Sequence, residues 1–247
     1  MNSSSPIVKL DTLLTLTACA QNYGPQTIST YATSIWDTIR FEILNANDED
    51  ISSRAIELLK SITQSLSFGL VEATPTSPLA RFLKVVTETC SKELKDPETK
   101  MARLAGQVLS NCASVSLAAN KFIMEKTIPL LIMLFRETES VNKRTAILDI
   151  LNGFLDATGE ISSSVGDPEM IPLIIVKDDL FEVYSKGFLG SSSEETTYKL
   201  TALDGFRKLL SLKGVLTNNE IGIVVQYFDD VILRDENDDT WFVSYLE

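Results

Sequence analysis

The chain has no histidine. That removes the commonest general base and the commonest metal ligand, and it makes a Ser-His-Asp or Cys-His arrangement impossible. Cysteine is scarce: Cys19, Cys90 and Cys112 are the only three in 247 residues, odd in number and far apart. Such spacing argues against a disulfide framework, fits a reducing compartment and lacks the close pairing of a zinc site. No uninterrupted apolar run of 18 residues occurs, which argues against a transmembrane helix, and the opening "MNSSSPIVKLDTLLTL" has neither the basic region nor the cleavage site of a signal peptide. Cations are outnumbered, with 22 Lys and Arg against 34 Asp and Glu, a net charge of −12. An acidic chain repels phosphate backbones, so direct nucleic-acid binding is not expected. There is also no G-x-G-x-x-G, P-loop or nucleophile elbow.

What is present is helical periodicity. Apolar residues recur at intervals of three and four in ten runs of helix length: 7–20, 27–44, 51–66, 77–94, 96–113, 117–135, 142–155, 176–189, 196–212 and 217–233. Only "PLIIV", 172–176, could compete as a short strand. Helix punctuation agrees with these runs. Pro25 falls in a first turn, Ser77-Pro78 and Asp96-Pro97 each read as a cap followed by a first-turn proline, and Asn45, Asp48, Glu49 and Asp50 supply negative charge ahead of the third run. Gly190 and Gly214 follow runs, where glycine ends helices in the left-handed conformation.

Four of the runs share an alanine with a bulky apolar residue four positions later: Ala55 with Leu59, Ala105 with Leu109, Ala146 with Ile150, and Ala202 with Phe206. A basic residue stands near each alanine, Arg54, Arg103, Arg144 and Lys199, and the alanines recur every 41 to 56 residues with another apolar helix between. A two-helix period near 40 to 47 residues marks HEAT or armadillo arrays. The expected fold is therefore all-α: a HEAT-type α-solenoid of antiparallel helix pairs, about five repeats, with residues 1–247 a single segment of a longer solenoid. In "NKRTAILDILNGFL" the apolar arc spans Ala146, Ile147, Leu148, Ile150, Leu151, Phe154 and Leu155, leaving Asn142, Thr145, Asp149 and Asp156 as the polar side. An arc that wide suits a helix touching its partner and both neighbouring repeats. Gly153 reads as a place where another helix approaches closely. The stretch Ala157 to Leu173, rich in Gly, Pro and Ser, reads as a long inter-helix loop, near 157–175.

Searching for chemistry yields little. The cysteines read as buried structural thiols, and Trp36 and Trp241 as core residues that would become binding anchors if exposed. "RDENDDTWFVSYLE" has carboxylates spaced as in a calcium loop, but counted from Asp235 its sixth residue is Thr240 instead of Gly and its twelfth is Leu246 instead of Glu. It reads as an acidic turn. No catalytic, cofactor-binding or metal-binding residue is nominated, no cofactor is expected, and the partner-binding residues stay unassigned.

The words "VKLDTLLTLTACAQNYGP", "SIWDTIRFEILNANDEDISSRAIELLKSIT", "NKRTAILDILNGFLD" and "VKDDLFEVYSKGFLGSSSEETTYKLTALDGFRKLLSLKGVLTNNEI", in that order, resemble the family of large HEAT-repeat adaptors of cytosolic iron–sulfur protein assembly, also known as nucleotide-excision-repair and transcription factors. The resemblance covers most of the chain, suggests a fungal-type sequence, and matches the middle of that longer adaptor. It implies a non-enzymatic scaffold, cytoplasmic and nuclear, that joins a WD40 propeller protein and its small partner in handing clusters to apo-proteins such as helicases and polymerases. The family's contact with the assembly partners lies towards its C-terminal end, so no binding residue is carried over. A HEAT adaptor of another kind, a transport receptor or a transcription-complex subunit, has the same fold, whereas an enzyme would need a cleft of ionisable residues that nothing here nominates.

Overall fold

In the computed structural model, residues 5–44, 48–162, 170–189 and 196–235 are described, with side chains to 229. The described residues form ten α-helices: α1 (Pro6–Asn22), α2 (Pro25–Leu44), α3 (Glu49–Ser67), α4 (Pro78–Glu93), α5 (Lys100–Ala113), α6 (Leu117–Glu137), α7 (Val141–Ser162), α8 (Lys177–Leu189), α9 (Thr196–Ser211) and α10 (Asn218–Asp235). A 3₁₀ turn, Pro172–Val176, precedes α8, so "PLIIV" is a turn of helix instead of a strand. No strand occurs among the described residues.

The helices form two layers. The odd-numbered helices stack α1 on α3, α3 on α5, α5 on α7 and α7 on α9, while the even-numbered ones stack α2 on α4, α4 on α6 and α6 on α8. Across the layers α2 packs on α3, α4 on α5, α6 on α7 and α8 on α9. Four complete pairs flanked by α1 and α10 make an α-solenoid close to the expected five repeats. The four alanine anchors all lie in the odd layer. Ala55, Ala105 and Ala202 are fully buried there with Leu59, Leu109 and Phe206, because a small residue next to a large one lets neighbouring helices interlock. Helix α7 buries Ile147, Leu148, Ile150, Leu151, Phe154, Leu155 and Ala157 while Asn142, Asp149 and Asp156 face outward. Its wide apolar arc faces α5, α6 and α9 together.

Local chemistry sets the helix starts. Asp48 caps α3, its carboxylate accepting from the Asp50 and Ile51 amides at 3.0 and 3.2 Å, with Glu49 and Asp50 in the first turn. Ser77 caps α4 ahead of Pro78 as expected. Asp96-Pro97 does not open α5: the chain turns there and Thr99 is the cap, its hydroxyl accepting from the Ala102 amide at 3.1 Å. Gly214 takes the left-handed conformation after α9, at φ 80°. The loop expected from Ala157 starts later, because Ala157, Thr158 and Ile161 are buried and carry α7 on to Ser162. Asn45 and Gly190 lie outside the described residues.

Close helix approach occurs at glycines other than Gly153. A Cβ on Gly153 would meet Ser110 of α5 at an ordinary 3.6 Å, whereas one on Gly106 would come within 2.9 Å of Ile150 and one on Gly187 within 2.9 Å of Ala202. At Gly205 a methyl group would overlap the Tyr184 ring. That glycine makes room for an aromatic cluster centred on Phe206, whose ring lies 5.6 Å from Phe181, 6.0 Å from Tyr184, 6.3 Å from Phe188 and 6.4 Å from Tyr227. Each such ring pair adds about 0.5–1.5 kcal/mol beyond its buried area. The cluster joins α8, α9 and α10, and Lys177 reinforces it with a 2.7 Å ion pair to Glu220 on α10.

Two outcomes follow. Gly205→Ala lowers the free energy of unfolding by about 1–3 kcal/mol through overpacking, while Gly153→Ala leaves it unchanged or raises it by up to about 1 kcal/mol; urea titration of the two variants measures the contrast. Burial raises the Glu220 pKa, but hydrogen bonds from Lys177 and from the Thr217 amide and hydroxyl outweigh it and bring the carboxyl from the ordinary 4.5 to about 2. Since the folded value is the lower one, the contribution is complete above pH 4.5 and disappears as pH falls towards 2. The stability gap between wild type and Glu220→Gln, measured by thermal melts, is therefore open at pH 7 and closes across that interval.

Candidate functional site

Stacking in register brings the first turns of α5, α7 and α9 side by side, and the helix starts form a groove. Three adjoining clefts compose it. The first, about 350 Å³, lies between Glu98, Lys100 and Arg103 at the start of α5 and Ala146, Asp149 and Ile150 of α7. The second, about 710 Å³, shares Glu98, Ala146 and Asp149 with it and reaches Thr196, Thr197 and Thr201 of α9. The third, about 690 Å³, shares Val141 and Tyr198 with the second and opens between α6, α7 and α8, where Phe135, Arg136, Arg144, Ser185, Lys186 and Leu189 line it. All three are open to solvent along their length. They make a surface trough that suits an extended chain better than an enclosed small molecule.

A polar clasp locks α7, α8 and α9 together. The buried Tyr184 hydroxyl donates to Asn152 Oδ1 at 2.7 Å, and Asn152 Nδ2 donates to the Thr201 carbonyl at 2.9 Å and to Asp204 at 3.4 Å. Lys208 Nζ sits 2.6 Å from Asp156 and 2.9 Å from Asp204. Burial, with Asp204, Asp156 and Asp149 nearby, pushes the Tyr184 hydroxyl well up, so it stays a donor. For Asp204, burial acts upward but hydrogen bonds from Lys208 and Arg207 hold the carboxyl below its ordinary value. For Lys208, burial acts downward and its two carboxylate partners prevail, raising it. Tyr184, Asp204 and Lys208 thus keep one charge state near neutrality, and their hydrogen bonds tie α7, α8 and α9 together.

The cations at the third cleft differ in how fully they are engaged. Arg136 bridges Asp179 and Glu182 on α8, which raise its pKa. Lys186 pairs with Glu182, and Lys186 and Arg136 together lower the Glu182 carboxyl. Arg144 stacks over the Phe135 ring at 5.4 Å, and its contact with the almost wholly exposed Glu139 is long, 3.6 Å. Sequence reasoning noted Arg144 and Arg103 as basic residues beside the alanine anchors but assigned them no surface. Of the four basic residues beside the anchors, these two line the groove, while Arg54 and Lys199 do not.

Cys90 and Cys112 are buried as expected, whereas Cys19 is half-buried. Burial, with Cys112 and Glu93 close by, pushes the Cys90 thiol well up, and burial pushes Cys112 up to about 12 despite Thr63 and Lys60 acting downward. Trp36 is fully buried in the core, so it is no surface anchor. Trp241 and the acidic turn after Asp235 lie outside the described residues. Among the described residues no three His, Cys, Asp or Glu side chains come together as a metal-binding group, and no helix there is long and apolar enough to cross a membrane.

Fold and groove define a class: an α-solenoid with an open trough across stacked helix starts. Within that class the chain is similar, along nearly all of its length, to a stretch of the MMS19 proteins. It is 26% identical over 239 residues to the mouse "MMS19 nucleotide excision repair protein homolog", covering 97% of this chain and 23% of that protein. It is 26% identical over 264 residues to the DNA repair/transcription protein of the same MMS19 name from Saccharomyces cerevisiae, covering 98% of this chain and 25% of that one. The Schizosaccharomyces pombe "DNA repair/transcription protein mms19" is 22% identical over 236 residues, covering 94% of this chain and 23% of that protein. The chain thus spans about a quarter of the length of these relatives. Residues 1–45 also match the family model MMS19_N, "Dos2-interacting transcription regulator of RNA-Pol-II". The resemblance read from the helix words is borne out under the family's repair and transcription name. Equal identity to mouse and budding yeast gives the fungal-type reading no added support.

Thiol titration tests the burial pattern. With an aromatic disulfide reagent at pH 8, the native chain releases one equivalent rapidly, from Cys19, and three after denaturation in guanidinium; Cys19→Ser abolishes the rapid equivalent.

Proposed function

We propose that the chain is part of a non-enzymatic HEAT-type scaffold of the cytosolic iron–sulfur assembly targeting machinery. In this reading it helps deliver clusters to apo-proteins, including DNA repair and replication enzymes, in the cytoplasm and nucleus. Its partners are proteins: a WD40 propeller assembly factor with its small partner, and apo-clients such as helicases and polymerases. It works without a cofactor of its own and without direct contact with nucleic acid or membrane. Residues 1–247 then form one HEAT-repeat segment of a longer solenoid.

The observation that carries this reading is the pairing of an open trough on a helical stack with similarity, at 26% identity along nearly all of this chain, to a stretch of proteins named for repair and transcription. A solenoid offers long surfaces to large partners, and a role in client maturation reconciles an acidic chain with a repair-associated name. A second reading, a HEAT adaptor serving a transcription complex, is favoured by the family description matched at residues 1–45.

Affinity capture with the tagged chain from cytosolic and nuclear extracts, read by mass spectrometry, separates these readings. Recovery of iron–sulfur assembly factors or apo-clients is the expected result. Recovery of RNA polymerase II components without them moves the assignment to the second reading. Recovery of neither, by a chain with a helical circular-dichroism spectrum, overturns a docking role for this segment.

A further inference from the structure

Among the described residues the stack is open beside α9 and α10. In the odd layer α3 lies between α1 and α5, α5 between α3 and α7, and α7 between α5 and α9, whereas α9 packs in that layer on α7 alone. Each of α2, α4, α6 and α8 also packs on the odd helix that follows it, and α10 has no such helix among the described residues. The side chains record this difference. On α9, Asp204 and Lys208 mark the side that meets α7. Leu203 and Leu210, seven residues apart, lie away from that side, the first half-buried and the second exposed. Helix α10 carries Ile221, Ile223, Val224, Val225, Tyr227 and Phe228, yet of these only Val224 is fully buried, and Ile221, Ile223 and Val225 are exposed. The outer side of a terminal solenoid layer is ordinarily polar, and this one presents apolar side chains from two adjoining helices.

After α10 the sequence continues with "ENDDTWFVSYLE", residues 236–247, which lie outside the described residues. Three to six residues separate each even helix from the odd helix after it: 45–48, 94–99, 138–140 and 190–195. The same interval after Asp235 leads to residues 239–242. Asp238, Asp239 and Thr240 supply capping side chains there, as Asp48 and Thr99 do for α3 and α5. Trp241, Phe242, Tyr245 and Leu246 follow at the spacing of one helix face. We propose that residues 240–247 of this chain pack as the next element of the odd layer, covering Leu203 and Leu210 of α9 and the exposed apolar side chains of α10. Burial of apolar surface drives the docking. The short link from Asp235 holds the segment beside its seat at small loop-closure cost, whereas a second copy of a chain of net charge −12 approaches against charge repulsion. The covered side is thereby closed to partner proteins, whichever proteins the scaffold serves.

Trp241 reports on its own surroundings. Fluorescence of the whole chain minus that of Trp241→Phe isolates it and leaves the buried Trp36 untouched. The expected result is blue-shifted emission from Trp241, quenched by acrylamide several-fold more slowly than free tryptophan amide and unchanged on dilution. Leu210→Asp and Val225→Asp, each measured against its own Trp241→Phe reference, move the emission to the red and restore fast quenching, because a carboxylate opposes apolar docking. Leu14→Asp, on α1 at the other end of the stack, changes nothing. Thermal melts confirm that each variant is folded. Solvent-like emission from Trp241 in the wild-type chain overturns the inference, and so does shielding that persists in folded Leu210→Asp and Val225→Asp. Shielding that fades on dilution, with a dimer in sedimentation velocity, also overturns it and assigns this side to a second copy.

Discussion

How closely the odd-numbered helices lie against one another decides the rest of the architecture. Within the odd layer Ala55, Ala105 and Ala202 are buried and Gly106 of α5 abuts Ile150 of α7; across the layers Gly187 of α8 abuts Ala202 and Leu148, and Gly205 of α9 lies under the Tyr184 ring of α8. Small side chains at these points bring the backbones together, and the bulky residue four positions on fills the groove of the neighbour. Widening the steps between α5, α7 and α9 would disturb the alignment of helix starts that makes the trough, and moving α8 away from α9 would pull Tyr184 away from Asn152. Close packing within the odd layer and against α8 is thus the condition for both the polar clasp and the trough.

The clasp shows why a solenoid core admits polar groups at this position. Asn152 is the largest polar interruption of the apolar arc on α7, and it is satisfied on three sides: by the Tyr184 hydroxyl, the Thr201 carbonyl and Asp204. Only one rotational setting of α8 and α9 about α7 meets all three. Apolar contacts alone tolerate sliding, whereas a buried polar group left unpaired is costly. The network therefore selects register where the aromatic cluster supplies bulk.

Much of the fold was legible in the sequence. The ten apolar runs match the ten helices because 3.6-residue periodicity reports one buried face directly. Where the reading failed, a local pattern was overruled by packing or by a better cap. Asp96-Pro97 has the form of a helix start, but Thr99, nearer the apolar stripe, supplies the cap. "PLIIV" has strand composition, yet it sits against α6 and α8 as a turn of 3₁₀-helix. Gly153 looked like the close approach, but which glycine meets a neighbour depends on helix rotation, which one sequence does not carry. The trough was illegible for a similar reason. Its walls come from residues far apart in the chain, and of the four basic residues beside the alanine anchors only Arg103 and Arg144 line them.

The layered stacking has a consequence for how the chain acquires its structure. From α2 to α9 each helix packs on its neighbours in the stack, and the most extensive contacts join α1 to α3, α2 to α3, α7 to α9 and α8 to α9. Among the described residues no helix of the first pairs packs against one of the last. As the polypeptide leaves the ribosome, each new pair can dock on the pair already formed, and assembly can proceed in one direction at low loop-closure cost. The growing edge always presents an apolar helix face until the next pair arrives, so the pace of synthesis, more than the search for distant partners, sets how long sticky surface is exposed.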